Sequence, residues 1–164
     1  MTSTRRIIVI CSGNICRSPM ALALLRHKLD DHNIPAVVIS GGTLGIHGRR
    51  AATAARQVIC ESDPDDETGM ASWIAEHRSQ GLSPAMLRMA DDLVVMAPRH
   101  EHYIEQIAPS LIDRVVRLWQ YAQVDIPLTK IPDPVGQDVE VFRRCRDLIS
   151  ECLDGWIDEK LKPQ

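Results

Sequence analysis

The sequence predicts an α/β protein: a single domain on a four-stranded parallel sheet, flanked by helices on both faces. Three observations predict it. Short apolar runs rich in β-branched residues alternate along the chain with longer stretches of helical spacing, the pattern of repeated strand–helix units. The 164 residues suffice for one core and fall short of two. No internal repeat, low-complexity tract or linker marks a second unit, so 1–164 reads as one domain.

The elements follow in order. Residues 7–10 (Ile-Ile-Val-Ile) are β-branched throughout and read as a buried first strand. Residues 19–31, rich in Ala and Leu, read as a helix, with Ser18 as its cap and Pro19 in its first turn. A second strand is expected over 36–39 and a helix over 51–60. Ser83-Pro84 opens another helix, 93–96 is a third strand, 98–107 a helix and 115–118 a fourth short strand. Residues 139–161 carry Val141, Leu148, Cys152 and Trp156 at helical spacing and read as one C-terminal helix. The acidic, Pro- and Gly-containing segment 61–69 reads as an exposed surface loop.

Composition narrows the class. With 45% hydrophobic residues the chain suits a globular fold, and with three Trp, two Tyr and one Phe its core must rest on aliphatic side chains. A net charge of −3 gives no electrostatic reason to expect nucleic acid as a partner. The basic start is followed by too short an apolar run for a signal peptide, and no stretch could span a membrane, so a cytoplasmic protein is expected. The five cysteines (Cys11, Cys16, Cys60, Cys145 and Cys152) are odd in number and lack paired metal-ligand spacing, which argues against a metal site. Cys145 and Cys152 share a helix face two turns apart and read as core residues.

The chemistry concentrates in Cys11-Ser12-Gly13-Asn14-Ile15-Cys16-Arg17-Ser18-Pro19, between the first strand and the first helix. Gly13 frees the backbone to turn, so that successive N–H groups can point inward as an anion nest. The helix N-terminus adds its partial positive charge. Arg17 supplies a planar fork for two oxygens of a phosphate. A site that stabilises negative charge stabilises a thiolate, so Cys11 is the candidate nucleophile. The same cradle stabilises a transferring phosphoryl group, which points to covalent catalysis through a phosphocysteine. Ser12, Gly13, Asn14, Ile15, Cys16, Arg17 and Ser18 are the expected phosphate-binding residues.

This loop resembles the phosphate loop of the low-molecular-weight protein tyrosine phosphatases, and the resemblance runs on in family order. Ser40-Gly41-Gly42-Thr43 resembles that family's Ser-Ala-Gly-Thr, and His77-Arg78-Ser79-Gln80-Gly81-Leu82 its His-x-Ser-Arg-x-Leu. Residues 90–96 resemble its third strand, and Ile131-Pro132-Asp133-Pro134 its Asp-Pro loop. The resemblance implies hydrolysis of phosphotyrosine in proteins or peptides with no cofactor and no metal, by a monomer or weak dimer.

Further roles come with it. Taken alone, Asp133 between two prolines reads as an ordinary turn; the resemblance makes it the general acid and then base, with Asp125 and Asp138 as nearby alternatives. It assigns Ser40 and His77 to support Asn14, which suits a strained loop conformation. Ser18 is expected to hydrogen-bond the Cys11 thiolate besides capping the helix. Cys16 has two readings, a small packing residue or a partner that protects Cys11 through a reversible disulfide.

The departures bear on substrate. Ile46 and Val135, the expected pocket walls, stand where tyrosine-specific members commonly place aromatic residues, so a substrate ring loses stacking partners worth about 0.5–1.5 kcal/mol each. A bacterial branch that cleaves phosphoarginine resembles the Val135-Gly136 tail, yet carries threonine at the position of Ile15. A protein arginine phosphatase is therefore the alternative. An arsenate reductase would need two extra cysteines near Cys60, and a pure phosphate-binding module would have lost Cys11, Arg17 or Asp133.

Overall fold

The computed structural model describes residues 3–163. Its four strands, β1 (Arg5–Cys11), β2 (Ala36–Gly42), β3 (Asp92–Val95) and β4 (Val115–Arg117), form one sheet in the order β2-β1-β3-β4, parallel throughout. β1 is central, and its Ile7, Ile8, Val9 and Ile10 are all buried, which is why that run is apolar without alternation. Six helices surround the sheet: α1 (Arg17–Asp31), α2 (Thr53–Ser62), α3 (Met70–Glu76), α4 (Pro84–Met89), α5 (Pro98–Ile107) and α6 (Val139–Trp156). The sheet grows one way from β1 to β2 and the other way from β3 to β4. Right-handed crossovers therefore put α1 and α5 on opposite faces. That reversal opens a crevice at the carboxyl end of β1, where ligands of open α/β sheets bind.

The core follows the sequence pattern. α1 packs on β1 and β2 beneath α6 and α3, so residues 17 to 25 are buried on every side. α6 turns Phe142, Cys145, Ile149, Cys152 and Trp156 inward at spacings of three and four. Among the described residues no helix is long and apolar enough to cross a membrane.

Several boundaries differ from the sequence reading, each for a tertiary reason. β2 runs on to Gly42 because it pairs with β1 as far as Cys11↔Gly42. α1 begins at Arg17, and Cys16, not Ser18, is its N-cap, with no side-chain cap bond. The Ser18 hydroxyl is taken by Cys11 and Asn14 instead. α2 starts at Thr53, because the Ala52 N–H donates to the Ile15 carbonyl (2.9 Å) and is held outside the helix. The C-terminal helix loosens after Trp156 into a π turn, Ile157–Leu161.

The acidic segment is no free excursion. Glu61 and Ser62 complete α2, and Glu61 pairs with Arg143 of α6 at 2.7 Å, which holds its carboxyl down at about 2. Asp63 is buried and accepts from the Thr68 hydroxyl (2.6 Å) and N–H (3.2 Å). Asp66 accepts from Ser72 in α3, a helix too short to announce itself beyond the buried pair Met70 and Ile74.

Two glycines are set by close approach. A Cβ on Gly42 would lie 2.6 Å from the Ser12 carbonyl oxygen and 2.9 Å from the Asn14 nitrogen, so the loop after β1 rests directly on this residue. A Cβ on Gly155 would lie 2.7 Å from the Tyr121 carbonyl oxygen. Ala in place of Gly within a helix ordinarily gains about 1 kcal/mol, whereas overpacking costs about 1–3 kcal/mol. Contact with rigid backbone decides the sign: Gly155→Ala is expected to lower Tm in thermal unfolding, and a higher Tm would show that the turn at Tyr121 yields. Gly42→Ala is expected to lower Tm as well and to displace Ser12 to Asn14, because the atoms it meets are loop backbone; calorimetry beside the amide NMR shifts of these residues checks this.

Candidate active site

The loop from Cys11 to Arg17 is shaped by what holds its carbonyls. The Thr43 N–H donates to the Cys11 carbonyl at 3.1 Å, Leu44 N–H to Ser12 at 3.0 Å and Ala52 N–H to Ile15 at 2.9 Å. His77 Nε2 lies 2.8 Å from the Asn14 carbonyl. Each is an outside group pulling a carbonyl outward. In a planar trans peptide the N–H of the next residue points the opposite way. The N–H groups of Ser12, Gly13, Ile15 and Cys16 are thereby turned inward, as an anion nest requires. Among the described residues none of the N–H groups from Gly13 to Ser18 has a backbone acceptor.

Asn14 closes the turn. It sits at φ +57°, a left-handed conformation that costs an ordinary side chain about 1–2 kcal/mol. Its side chain is 0% exposed, and both its amide nitrogen and its amide oxygen are bonded. Nδ2 donates to Ser18 Oγ (2.8 Å) and Ser40 Oγ (2.9 Å), and Oδ1 accepts from the Gln80 N–H (3.0 Å). Gln80 also donates to the Ser40 carbonyl at 2.9 Å. His77 is held toward its neutral form, chiefly by burial. Its bond to a carbonyl makes Nε2 the protonated nitrogen. Ser40 and His77 thus both reach Asn14, Ser40 through the side chain and His77 through the backbone. Asn14 and Ser18 turn their side chains behind the loop.

Cys11 ends β1, buried, with its sulfur 3.0 Å from the Ser18 hydroxyl. Arg17 is buried beside it. One terminal nitrogen donates to the Ile131 carbonyl (3.0 Å), the other to Asp133 Oδ2 (3.1 Å), and Nε has no partner among the described residues. Asp133 is fixed from two sides, since its Oδ1 accepts from the Val135 N–H at 3.2 Å. The segment carrying it is anchored by the Ile131 N–H on the Met96 carbonyl (2.8 Å) at the end of β3, and by the Cys145 thiol against the Pro132 carbonyl (3.7 Å). Asp138 is occupied as the N-cap of α6, and Asp125 lies exposed in the preceding loop.

These groups face one cavity of about 190 Å³. The loop is its floor and Ile15, Leu44, Ile46 and Val135 its walls, with Asp133 at the rim. Leu44 and Val135 are 66% and 62% exposed, an apolar lip open to solvent. Such a cleft can hold a tetrahedral oxyanion, present sulfur to it and offer a carboxyl group to the departing atom. Cys16 is buried, and burial pushes its thiol up to about 12. A thiol so held is a slow nucleophile toward an oxidised Cys11. All five cysteines are free thiols.

Sequence reasoning missed Gln80, Leu44 and His100. Gln80 lies inside the segment 77–82 already singled out, without a role given to it, and Leu44 adjoins the segment 40–43. His100 carries no local signal at all, being brought to Ser12 Oγ (3.0 Å) by the start of α5.

Comparison with known proteins agrees with this geometry. Residues 6–164 match the family described as low molecular weight phosphotyrosine protein phosphatase. A probable low molecular weight protein-tyrosine-phosphatase, EpsP of Ralstonia nicotianae, is 34% identical over 93% of this chain and 94% of its own. A protein-arginine-phosphatase of Geobacillus stearothermophilus is 32% identical over 97% of each. Among solved structures, Wzb of Vibrio vulnificus in complex with benzylphosphonate superposes with a TM-score of 0.78 at 28% identity, covering 96% of this chain and 99% of that one. With residues 6–164 so matched, the chain belongs to the low molecular weight phosphotyrosine protein phosphatase family.

Proposed function

We propose that this protein hydrolyses phosphotyrosine in proteins through a phosphocysteine intermediate. The observation that carries this reading is the loop itself: carbonyls pulled outward and N–H groups turned inward around the Cys11 sulfur, beside a buried arginine with an unused Nε. The substrate's phosphoryl oxygens take the loop N–H groups and the Arg17 fork. Cys11 attacks phosphorus, and the P–O bond to the leaving group breaks. Asp133 gives that oxygen its proton, then takes one from the water that cleaves the P–S bond. Ser18 steadies the thiolate when it forms and again when it departs.

The walls favour a flat apolar group. Ile15, Ile46 and Val135 form an aliphatic slot for a ring, with no stacking partner. Ile15 offers no hydroxyl to a guanidinium. The relative named as a protein-arginine-phosphatase, together with the missing aromatic walls, keeps phosphoarginine as the second reading. An arsenate reductase relay lacks thiols to run through, since Cys145 and Cys152 are buried in the α6 core. Five free thiols suit the cytoplasm, and every group in the mechanism comes from one chain, so a monomer suffices.

Metal-free turnover of matched phosphotyrosine and phosphoarginine peptides tests this, with Cys11→Ser as the blank. Expected are a higher kcat/KM for phosphotyrosine and no turnover by Cys11→Ser, which still binds phosphate. Asp133→Asn is expected to lower kcat on aryl phosphates about 10²–10⁴-fold. A phosphoarginine preference would overturn the substrate assignment, and an active Cys11→Ser would overturn the mechanism.

Thiol labelling offers a separate check. Burial pushes Cys16, Cys145 and Cys152 up to about 12, so these stay protonated at pH 7 and still at pH 9. Iodoacetamide is expected to modify Cys11 and the exposed Cys60, to spare the other three, and to be blocked by phosphate at Cys11 alone. Mass spectrometry of the native protein reads the pattern.

A further inference from the structure

His100 is 0% exposed and only half satisfied. Its Nε2 lies 3.0 Å from Ser12 Oγ, and its Nδ1 has no hydrogen-bond partner among the described residues. A buried polar atom without a partner calls for a physical explanation. An aliphatic side chain of similar size would fill this space without that penalty. The bond to Ser12 is therefore the reason for a histidine here.

The proton on the ring can be placed. Burial first, then the charges of Arg17 and Arg99, push the ring's pKa down to about 3, so it is neutral and carries one proton. On Nδ1 that proton would be a buried donor without an acceptor. A bare lone pair at Nδ1 is the better tolerated orphan. Nε2 therefore carries the proton and donates it to Ser12 Oγ. The serine hydroxyl has a proton of its own to give. Ser12 lines the cleft beside Cys11, and among the described residues its hydroxyl has no partner besides His100.

We propose that the Ser12 hydroxyl is a further oxyanion donor in the phosphate loop, and that His100 is the positioning residue that turns its proton into the cleft. This rests on reading the cleft as a phosphoryl-transfer site. The hydroxyl donates to a non-bridging oxygen of the bound phosphoryl group, adding one side-chain donor to the backbone nest. The donor is fixed from a second element, α5, and so needs no reorientation when charge builds on phosphorus.

The test combines a spectrum with kinetics. Long-range ¹H–¹⁵N NMR of the wild-type protein at pH 7 is expected to show His100 as the neutral Nε2–H tautomer; the Nδ1–H tautomer would overturn the assignment. Ser12→Ala is expected to raise the inhibition constants of inorganic phosphate and orthovanadate about ten- to a hundredfold, the loss of a hydrogen bond to a charged group, and Ser12→Thr to restore them. His100→Gln, with an amide nitrogen near the Nε2 position, keeps most of the affinity, whereas His100→Leu loses it. The double variant Ser12→Ala/His100→Leu binds no more weakly than Ser12→Ala. A merely structural His100 would change Tm without this pattern. Wild-type turnover with unaltered oxyanion binding by Ser12→Ala would overturn the Ser12 role alone. A wild-type protein that neither binds orthovanadate nor hydrolyses p-nitrophenyl phosphate would overturn the phosphatase reading, and this role with it.

Discussion

Asn14 in a left-handed conformation is the constraint on which the site depends. A non-glycine residue at φ +57° persists only if its surroundings over-determine it. Four bonds do so here: to Ser18 and Ser40 from its amide nitrogen, from the Gln80 N–H to its amide oxygen, and from His77 Nε2 to its carbonyl. The reversal at Asn14 lets the chain leave β1, wrap around the Cys11 sulfur and enter α1 within a few residues. Gly42 completes the condition from below, because any side chain there would occupy the space of the turn.

The same arrangement settles how a buried cation is tolerated. Removing a guanidinium from water is costly unless it is paired and hydrogen-bonded. Arg17 meets that cost with the Ile131 carbonyl and the Asp133 carboxylate, both on the segment anchored at the end of β3. The Cys11 end of the cleft and its Asp133 end are thus joined through one side chain. The unused Nε and the inward N–H groups remain as preorganised donors.

How much of this the sequence disclosed depends on range. The apolar run of β1, the turn chemistry of Gly13 and Asn14, and the arginine at the start of α1 are local patterns, and they located the loop. Ile46, Val135 and Asp133, singled out through the resemblance, line one cavity with the loop. Periodicity carries no information on partners that meet only after folding. His100 reaches Ser12 across 88 positions, and Glu61 meets Arg143 across 82. Ser18 misled for a related reason: Ser before Pro is a sound capping signal, yet a buried thiol and an amide compete for the same hydroxyl and win. α3 escaped notice because seven residues span barely two turns, too few for a period to stand out.

The groups that draw the loop carbonyls outward share one further property. Thr43, Leu44, Ala52 and His77 all lie outside helices and strands, on connecting segments. Connections open at lower free energy than the strands and helices they join. The loop geometry is then only as durable as the least stable of these segments, whatever the strength of the aliphatic core. Sheet and helices could stay intact while a single loosened connection lets one peptide of the cradle rotate, so that activity and fold would be lost in separate steps.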